Sequence, residues 1–313
     1  MRFKPAKDPL MRAATRTRYP GSSKTRVAHL REVSQFVREL RNQGFGVKKW
    51  GNVTSKHVGI VVKSWHDRGL ATKTIKEYLS GVRATAEAYD NNSIHKDNSA
   101  FNLENIQYVQ NIDRSMPDER YNSIMEKLKA GDNNENRVAA QLGLCRHLGL
   151  RHEEARKFSP SRDVLPDGRV HASAGTKGGK ERVLSEVSPE GRKAIEYARS
   201  VAGTGSMIPP GMRDRQWEKK GYKILEKAGA DRKNEKFHSA RHAYAQSRYE
   251  QLTGFKCRVK YESKEAFERA AIEARGEDWK DYDKSARGII KVEMGHGLGR
   301  DSTVAQYLGS NSK

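Results

Sequence analysis

Apolar residues recur along this chain mostly at steps of three and four, the period of helices with one buried face. Val27, Leu30, Val33, Val37 and Leu40 form one stripe. Val58, Val61, Val62 and Trp65 form a second, after a Thr54-Ser55 cap. Ile75, Tyr78, Leu79, Val82, Ala86 and Tyr89 form a third, where Thr74 and Glu77 have capping-box spacing. These stripes predict three or four helices packed as a small α domain up to about residue 112. The polar stretch 90–111 predicts a linker, with a last short helix around Ile106-Tyr108-Val109.

A second unit opens at Pro117, a favourable first helical position. Tyr121, Ile124, Met125 and Leu128 make its first stripe, and Gly131 stops it. Another helix is expected from about Asn134 to Leu148, ending at Gly149, with Arg151 opening the next. The period then changes. Residues 169–174 and 181–184 flank Gly175-Thr176-Lys177-Gly178-Gly179-Lys180, which predicts a β-hairpin with Lys177 and Lys180 at its tip. From Pro189 onward the pattern is mostly helical, and no internal repeat is evident. The domain reading is a flexible basic arm over 1–24, a helical domain over 25–112 and a second domain over 113–313.

Charge narrows the class of partner. The 313 residues contain 60 Lys+Arg against 39 Asp+Glu, a formal net charge of +21. Such an excess points to a polyanion, most simply nucleic acid. Seven of the basic residues fall in residues 1–24, with Asp8 the one acid there. That arm either touches phosphates or is merely a solvated terminus. Cys145 and Cys257 are the only cysteines, too few for a disulfide framework or a metal cluster. They suit a reducing compartment. No apolar run reaches the length of a membrane span, and the N-terminus lacks a signal-peptide core. The expectation is a cytoplasmic protein that reaches DNA directly, with no membrane partner.

Three stretches near the carboxyl end carry candidate chemistry. His238, Arg241 and His242 share one helical face by their i, i+3, i+4 spacing. An arginine between two histidines suits an anion better than a metal, because a guanidinium repels a dication. Arg151 and Glu154 are one turn apart; they read either as a surface ion pair or as a buried buttress. Gly295-His296-Gly297 follows, and Tyr307 stands 11 residues after His296 (307 − 296) beyond a bend with Gly295, Gly297 and Gly299. That spacing places a phenol on a mobile segment, able to reach into a site.

Together, Arg151-x-x-Glu154, Thr176-Lys177-Gly178-Gly179-Lys180, His238-x-x-Arg241-His242, Gly295-His296 and Tyr307 resemble the motifs of tyrosine recombinases, the phage-integrase family. Thr74-Ile75-x-x-Tyr78-Leu79-x-x-Val82-Arg83 resembles that family's core-binding domain. The likeness runs from about residue 24 to the end. It implies a mainly α fold with a small β-sheet, arranged as a two-domain C-shaped clamp on duplex DNA. It implies strand cleavage through a 3′-phosphotyrosine bond, with rejoining that needs no cofactor and no metal. In that scheme Tyr307 is the nucleophile and His238 its base. Arg151, Arg241 and His296 hold the phosphate. Lys177 protonates the leaving 5′-oxygen, with Lys180 as the fallback. Glu154 and His242 support the site, while Lys73, Lys76, Arg83 and Lys180 contact DNA. The implied partner is double-stranded DNA with a specific recombination site, bound by a homotetramer on paired sites. The scheme leaves room for an accessory directionality factor and for nucleoid association. A type IB topoisomerase-like nicking-closing enzyme, or a non-catalytic DNA-binding protein of the same fold, are the alternatives.

Two departures stand out. From Arg241 to His296 there are 55 residues (296 − 241), more than the family commonly shows. The extra stretch, about 254–288, includes a mixed-charge helix at Glu262–Glu273. It reads as a tolerated surface insertion or as a DNA or partner contact. Six residues follow Tyr307 (313 − 307), so a docking segment there is expected to be short or absent, with another element linking protomers.

Overall fold

The computed structural model describes residues 7–107, 109–297 and 301–311. The chain divides into two compact units, Met1–Gln107 and Tyr108–Lys313. Among the described residues, no helix is long and apolar enough to cross a membrane.

The first unit holds α1 (Pro9–Arg16), α2 (Ser23–Asn42), α3 (Ser55–Asp67) and α4 (Thr72–Glu87). Its core gathers the expected stripes, with Val33, Val37, Leu40, Val58, Ile75, Leu79 and Val82 all fully buried. Val27 departs from its stripe and is exposed. The expected capping box at Thr74 is absent; α4 starts three residues earlier (74 − 71), with Ala71 as its N-cap and no side-chain cap bond. The expected short helix near Ile106 is also absent. Residues 102–107 and 109–117 have no helix; Phe101 and Leu103 are buried in the first unit's core and Met116 in the second's. Tyr108 lies outside the described residues.

The flexible arm is corrected more substantially. Residues 9–16 are helical, and Leu10 and Ala14 are fully buried in the first unit's core. The sequence cause is local. Asp8 caps the helix by accepting from Leu10 N at 2.9 Å, and Pro9 takes the first turn, where its missing N–H costs nothing. Asp8 also takes Arg41 Nε at 2.7 Å, and Trp50 Nε1 donates to the Leu10 carbonyl at 3.0 Å. Basic residues thus occupy the outer face of a helix whose inner face is core.

The second unit is built around α6 (Asn133–Leu148), which follows α5 (Asp118–Lys129). The helix α6 is buried on nearly every side, as expected of a central helix rather than an amphipathic one. Five helices pack on it: α5, α7 (His152–Lys157), α9 (Pro189–Ala202), α10 (Asp214–Lys227) and α11 (Phe237–Thr253). Between α7 and α9 lie the short α8 (Pro160–Asp163) and the predicted hairpin. Its strands β1 (Val170–Ala172) and β2 (Arg182–Leu184) pair antiparallel, with Val170 opposite Leu184 and Ala172 opposite Arg182. The helices α12 (Lys264–Arg275), α13 (Trp279–Glu293) and α14 (Asp301–Leu308) complete the unit. The stretch 254–288 is therefore more than a surface insertion. Phe267 and Ala271 are fully buried in a core that also contains Tyr249, Ile290, Tyr307 and Leu308.

Leu10→Ala should lower the stability of the first unit by about 2–5 kcal/mol, the range for a buried leucine truncated in a core. Amide hydrogen exchange of the first unit's core measures it; a change below a few tenths would mean that α1 is frayed in solution.

Candidate active site

Helix α6 ends at Gly149, whose φ of +60° lets the chain turn at once into Leu150 and Arg151. A Cβ on Gly149 would lie 2.3 Å from the ring of Tyr244, so the turn admits no side chain. Arg151 then takes the N-cap position of α7, and its backbone N–H donates to Glu154 Oε2 at 2.7 Å. Its guanidinium donates to Glu154 Oε1 at 2.7 Å and to the Gly295 carbonyl at 2.9 Å.

Glu154 is the buried buttress, not the surface pair. It is 2% exposed, and its carboxylate also receives both arms of Arg182, at 2.9 and 2.8 Å. Arg241 Nη1 lies 4.0 Å from it. Burial pushes this carboxyl up, but the hydrogen bonds and charge of Arg182, then the charges of Arg241 and Arg151, outweigh it and hold it at about 2. Arg182 was not among the residues singled out from sequence. It leaves strand β2 as a buried side chain and also donates through Nε to the Glu293 carbonyl at 2.6 Å. The one sequence signal was its place just after the Lys177–Lys180 tip, in a strand whose alternation turns it inward with Leu184.

Helix α11 supplies Arg241, which is 1% exposed. Its guanidinium donates to the carbonyls of Gly149 and Met294, the latter at 2.6 Å. Its Nε donates to the hydroxyl of Tyr307 at 3.4 Å. The expected mobile phenol is thus seated in a helix and nearly buried, at 5% exposure. Gly299, part of the expected bend, lies outside the described residues. Three imidazoles surround the phenol ring, with centroids at 4.4 Å for His242, 5.6 Å for His238 and 5.7 Å for His296. Gly295 has φ +64°, and a Cβ there would fall 2.9 Å from Arg182 and 3.1 Å from Arg151. Only glycine lets the chain pass between those two guanidiniums.

Three guanidiniums against one carboxylate leave an excess of positive charge, and the imidazoles respond to it. Burial first, then the charges of Arg241, Arg151 and Arg182, lowers His296 to about 3. Burial likewise lowers His242 to about 3, with His238 and Arg114 adding to it. The outer edge of His238 meets solvent, yet crowding and then the charges of Arg241 and Arg151 lower it too. All three rings are therefore neutral near pH 7 and able to accept a proton. His296 Nε2 and His242 Nδ1 are buried without a partner, so each holds an unused hydrogen-bonding position.

The remaining candidates divide. Lys177 is exposed in the turn Lys177–Gly179. Lys180 is exposed as well, but its ammonium would lie 3.0 Å from a Cβ on Gly297, beside His296. Lys73 is exposed on α4. Lys76 and Arg83 bond within the chain. Lys76 donates to the Glu104 carbonyl, while Arg83 donates to His95 O at 3.0 Å and to Asn98 Oδ1 at 2.8 Å. Both hold the 95–104 loop and stay partly exposed. Among the described residues, no group of three His, Cys, Asp or Glu could hold a metal ion.

Arg182→Ala should destabilise the second unit by about 3–5 kcal/mol, because a buried carboxylate loses half its donors. Removing Glu154 as well should cost less than the sum of the two single changes, and additivity in urea melts would deny the coupling. The histidines set a pH dependence. Their folded values lie below the unfolded value of about 6.5, so the unfolded state binds protons first as pH falls. Stability should hold above pH 6.5 and drop steadily towards pH 4. His242→Gln should flatten that slope in denaturation curves taken at successive pH values.

Residues 107–247 match the integrase family model, and residues 7–91 match the model of the phage integrase N-terminal domain. Comparison with curated proteins gives no match. The fold resembles XerH site-specific recombinase bound to palindromic difH substrate, at 14% identity and TM-score 0.57, over 90% of this chain and 75% of that one. It resembles a lambda integrase tetramer bound to a Holliday junction, at 14% identity and TM-score 0.59, over 97% and 76%. It also resembles the Tn1549 transposon integrase with transposon right end DNA, at 12% identity and TM-score 0.54, over 95% and 94%. Family models that together span more than half of the sequence, and a shared fold in both units, place this chain in the tyrosine recombinase family, the phage integrases.

Proposed function

We propose that the protein is a site-specific DNA recombinase that cuts and rejoins strands through a covalent bond to Tyr307. One observation carries the reading: the Tyr307 hydroxyl lies 3.4 Å from Arg241 Nε, inside a pocket with excess positive charge and neutral imidazoles. A phosphodiester would offset that charge. In the proposed step the Tyr307 oxygen bonds to phosphorus and its proton passes to His238, while the bond from phosphorus to the 5′-oxygen breaks. Arg151 and Arg241 face the non-bridging oxygens, and the unpartnered His296 Nε2 donates another hydrogen bond. Glu154 and His242 support these groups. The 5′-oxygen takes its proton from the hairpin tip: from Lys177 by the family motif, with Lys180, beside Gly297, as the alternative. Attack of that 5′-hydroxyl, or of one from a partner strand, reverses the step. The phosphoester bond is conserved throughout, so no external energy source is required.

The partner would be duplex DNA carrying a recombination site, engaged by a homotetramer, since a relative has been crystallised as a tetramer on a Holliday junction. The protein would then work in the cytoplasm on the nucleoid, with or without an accessory directionality factor. Lys73, Lys76 and Arg83 on the first unit and Lys180 on the second are the proposed DNA contacts; Lys73 and Lys180 are exposed, Lys76 and Arg83 partly so.

Incubation with nicked target duplex should give a covalent adduct on a denaturing gel, absent with Tyr307→Phe. An adduct that survives that substitution removes Tyr307 from the role. Arg151→Ala and Arg241→Ala should each raise the cleavage barrier by about 3 kcal/mol with DNA binding little changed. Equal losses in both would make them anchors only. Relaxation of arbitrary supercoiled plasmid, with no site required, would favour a nicking-closing topoisomerase. A substrate with sulfur in place of the bridging 5′-oxygen identifies the acid, because a thiolate leaves without protonation. Lys177→Ala should be slow on oxygen and restored on sulfur; that pattern at Lys180 instead would move the role there.

A further inference from the structure

We infer that the stretch 254–293 is a clasp for the nucleophile, in which the Asp283–Arg287 pair fixes where helix α14 ends and thereby where the Tyr307 hydroxyl stands. The inference rests on Tyr307 being the nucleophile.

Two layers make the clasp. The first is an apolar bed: Val304, Tyr307 and Leu308 of α14 share one core with Phe255, Phe267, Trp279, Ile290 and Met294. Phe255, Phe267 and Trp279 belong to the inserted stretch, and Ile290 and Met294 to the end of α13 that follows it. Apolar packing holds the helix down but leaves it free to slide or roll, because dispersion contacts are non-directional. The second layer removes that freedom. Arg287 Nη1 donates to the carbonyl of Gly309, two residues beyond Tyr307, at 2.8 Å. Arg287 Nε is held in turn by both oxygens of Asp283, at 2.8 and 2.9 Å. Asp283 also accepts from the Tyr249 hydroxyl at 2.5 Å and from Asn311 Nδ2 at 3.2 Å. The opposite side of the turn is closed by Asn111, whose Oδ1 accepts from Ser310 N at 2.7 Å.

The turn itself has no slack. Gly309 has φ +85°, and a Cβ there would come within 3.0 Å of Arg258 Cβ and of Asn111 Oδ1, and 3.1 Å of Val259. Its neighbours therefore press on it from the inserted stretch and from the start of the second unit. Asp283 is 8% exposed, so its pairing with Arg287 works in a setting where water competes weakly. A displacement of about 1 Å in that turn would be felt at the hydroxyl, and misplacement on that scale costs up to about a hundredfold in rate. Asp283 and Arg287 touch neither substrate nor reacting atoms; they are positioning residues.

The test uses the full chain with Arg287→Ala, Arg287→Lys and Gly309→Ala. Three quantities are read: single-turnover adduct formation at saturating nicked duplex, DNA affinity, and amide hydrogen exchange. Arg287→Ala should slow adduct formation on the order of tenfold to a hundredfold at unchanged affinity. Exchange should quicken across Asp301–Leu308 while α6 stays protected, which separates loosening of α14 from general unfolding. Arg287→Lys should recover part of the rate, since one ammonium can reach the Gly309 carbonyl or Asp283 but not grip both. Gly309→Ala should reproduce the slow phenotype without removing any charge. Faster exchange with an unaltered rate would overturn the inference, as would a rate that rises, which would make the contact a restraint on the tyrosine. Unchanged exchange in both Arg287→Ala and Gly309→Ala would equally overturn it. Wild type that forms no adduct would sink the recombinase reading instead, and exchange alone would then judge whether the clasp exists.

Discussion

The carboxylate of Glu154 is the interaction on which the site depends. Two oxygens accept from the backbone and side chain of Arg151 and from both arms of Arg182, so their lone pairs are filled. A buried carboxylate in that position does more than neutralise charge. It joins three pieces of chain: the start of α7, strand β2 of the hairpin and, through Arg182, the end of α13. Such a group contributes little net stability compared with apolar packing, and its value lies in allowing one arrangement only.

What the carboxylate leaves unbalanced is as informative as what it binds. Burial first, with neighbouring positive charge adding to it, keeps the surrounding imidazoles neutral, and His242 Nδ1 and His296 Nε2 are buried without partners. Proteins seldom keep such positions empty unless something else fills them. A phosphodiester meets both conditions, as a single negative charge with several acceptor oxygens. The phenol of Tyr307 already lies against the same surplus, so under the proposed function one set of residues would both bind the anion and present the nucleophile.

Much of this was legible in the residues themselves. His238, Arg241 and His242 announce themselves by helical spacing, because one face of a helix repeats at three and four, while Arg151, His296 and Tyr307 show only by their order along the chain. Arg182 does not. A lone arginine in a three-residue strand looks like surface charge, and its burial follows only from Glu154 and Glu293, which are 28 and 111 positions away. Helix α1 was hidden for a related reason: its basic outer face dominates the composition, while Leu10 and Ala14 are too few to make a visible stripe. Lys76 and Arg83 carry a task that the pattern did not show: they bond to the 95–104 loop, whose path no local pattern predicts. The stretch 254–288 seemed expendable because charged residues flank Phe267 and Ala271, and only the packed core shows which face turns inward.

Arg241 and Arg151 are each tied to the main chain at the bend after α13, the first to the carbonyl of Met294 and the second to that of Gly295. These oxygens belong to consecutive residues. The distance between the two cationic forks is thereby gauged by a single link of backbone, whose covalent dimensions hardly vary. Should the bend shift when nucleic acid enters, both forks would travel with it and keep their spacing, so under the proposed function the jaw that would grip a phosphate could move without changing its bite.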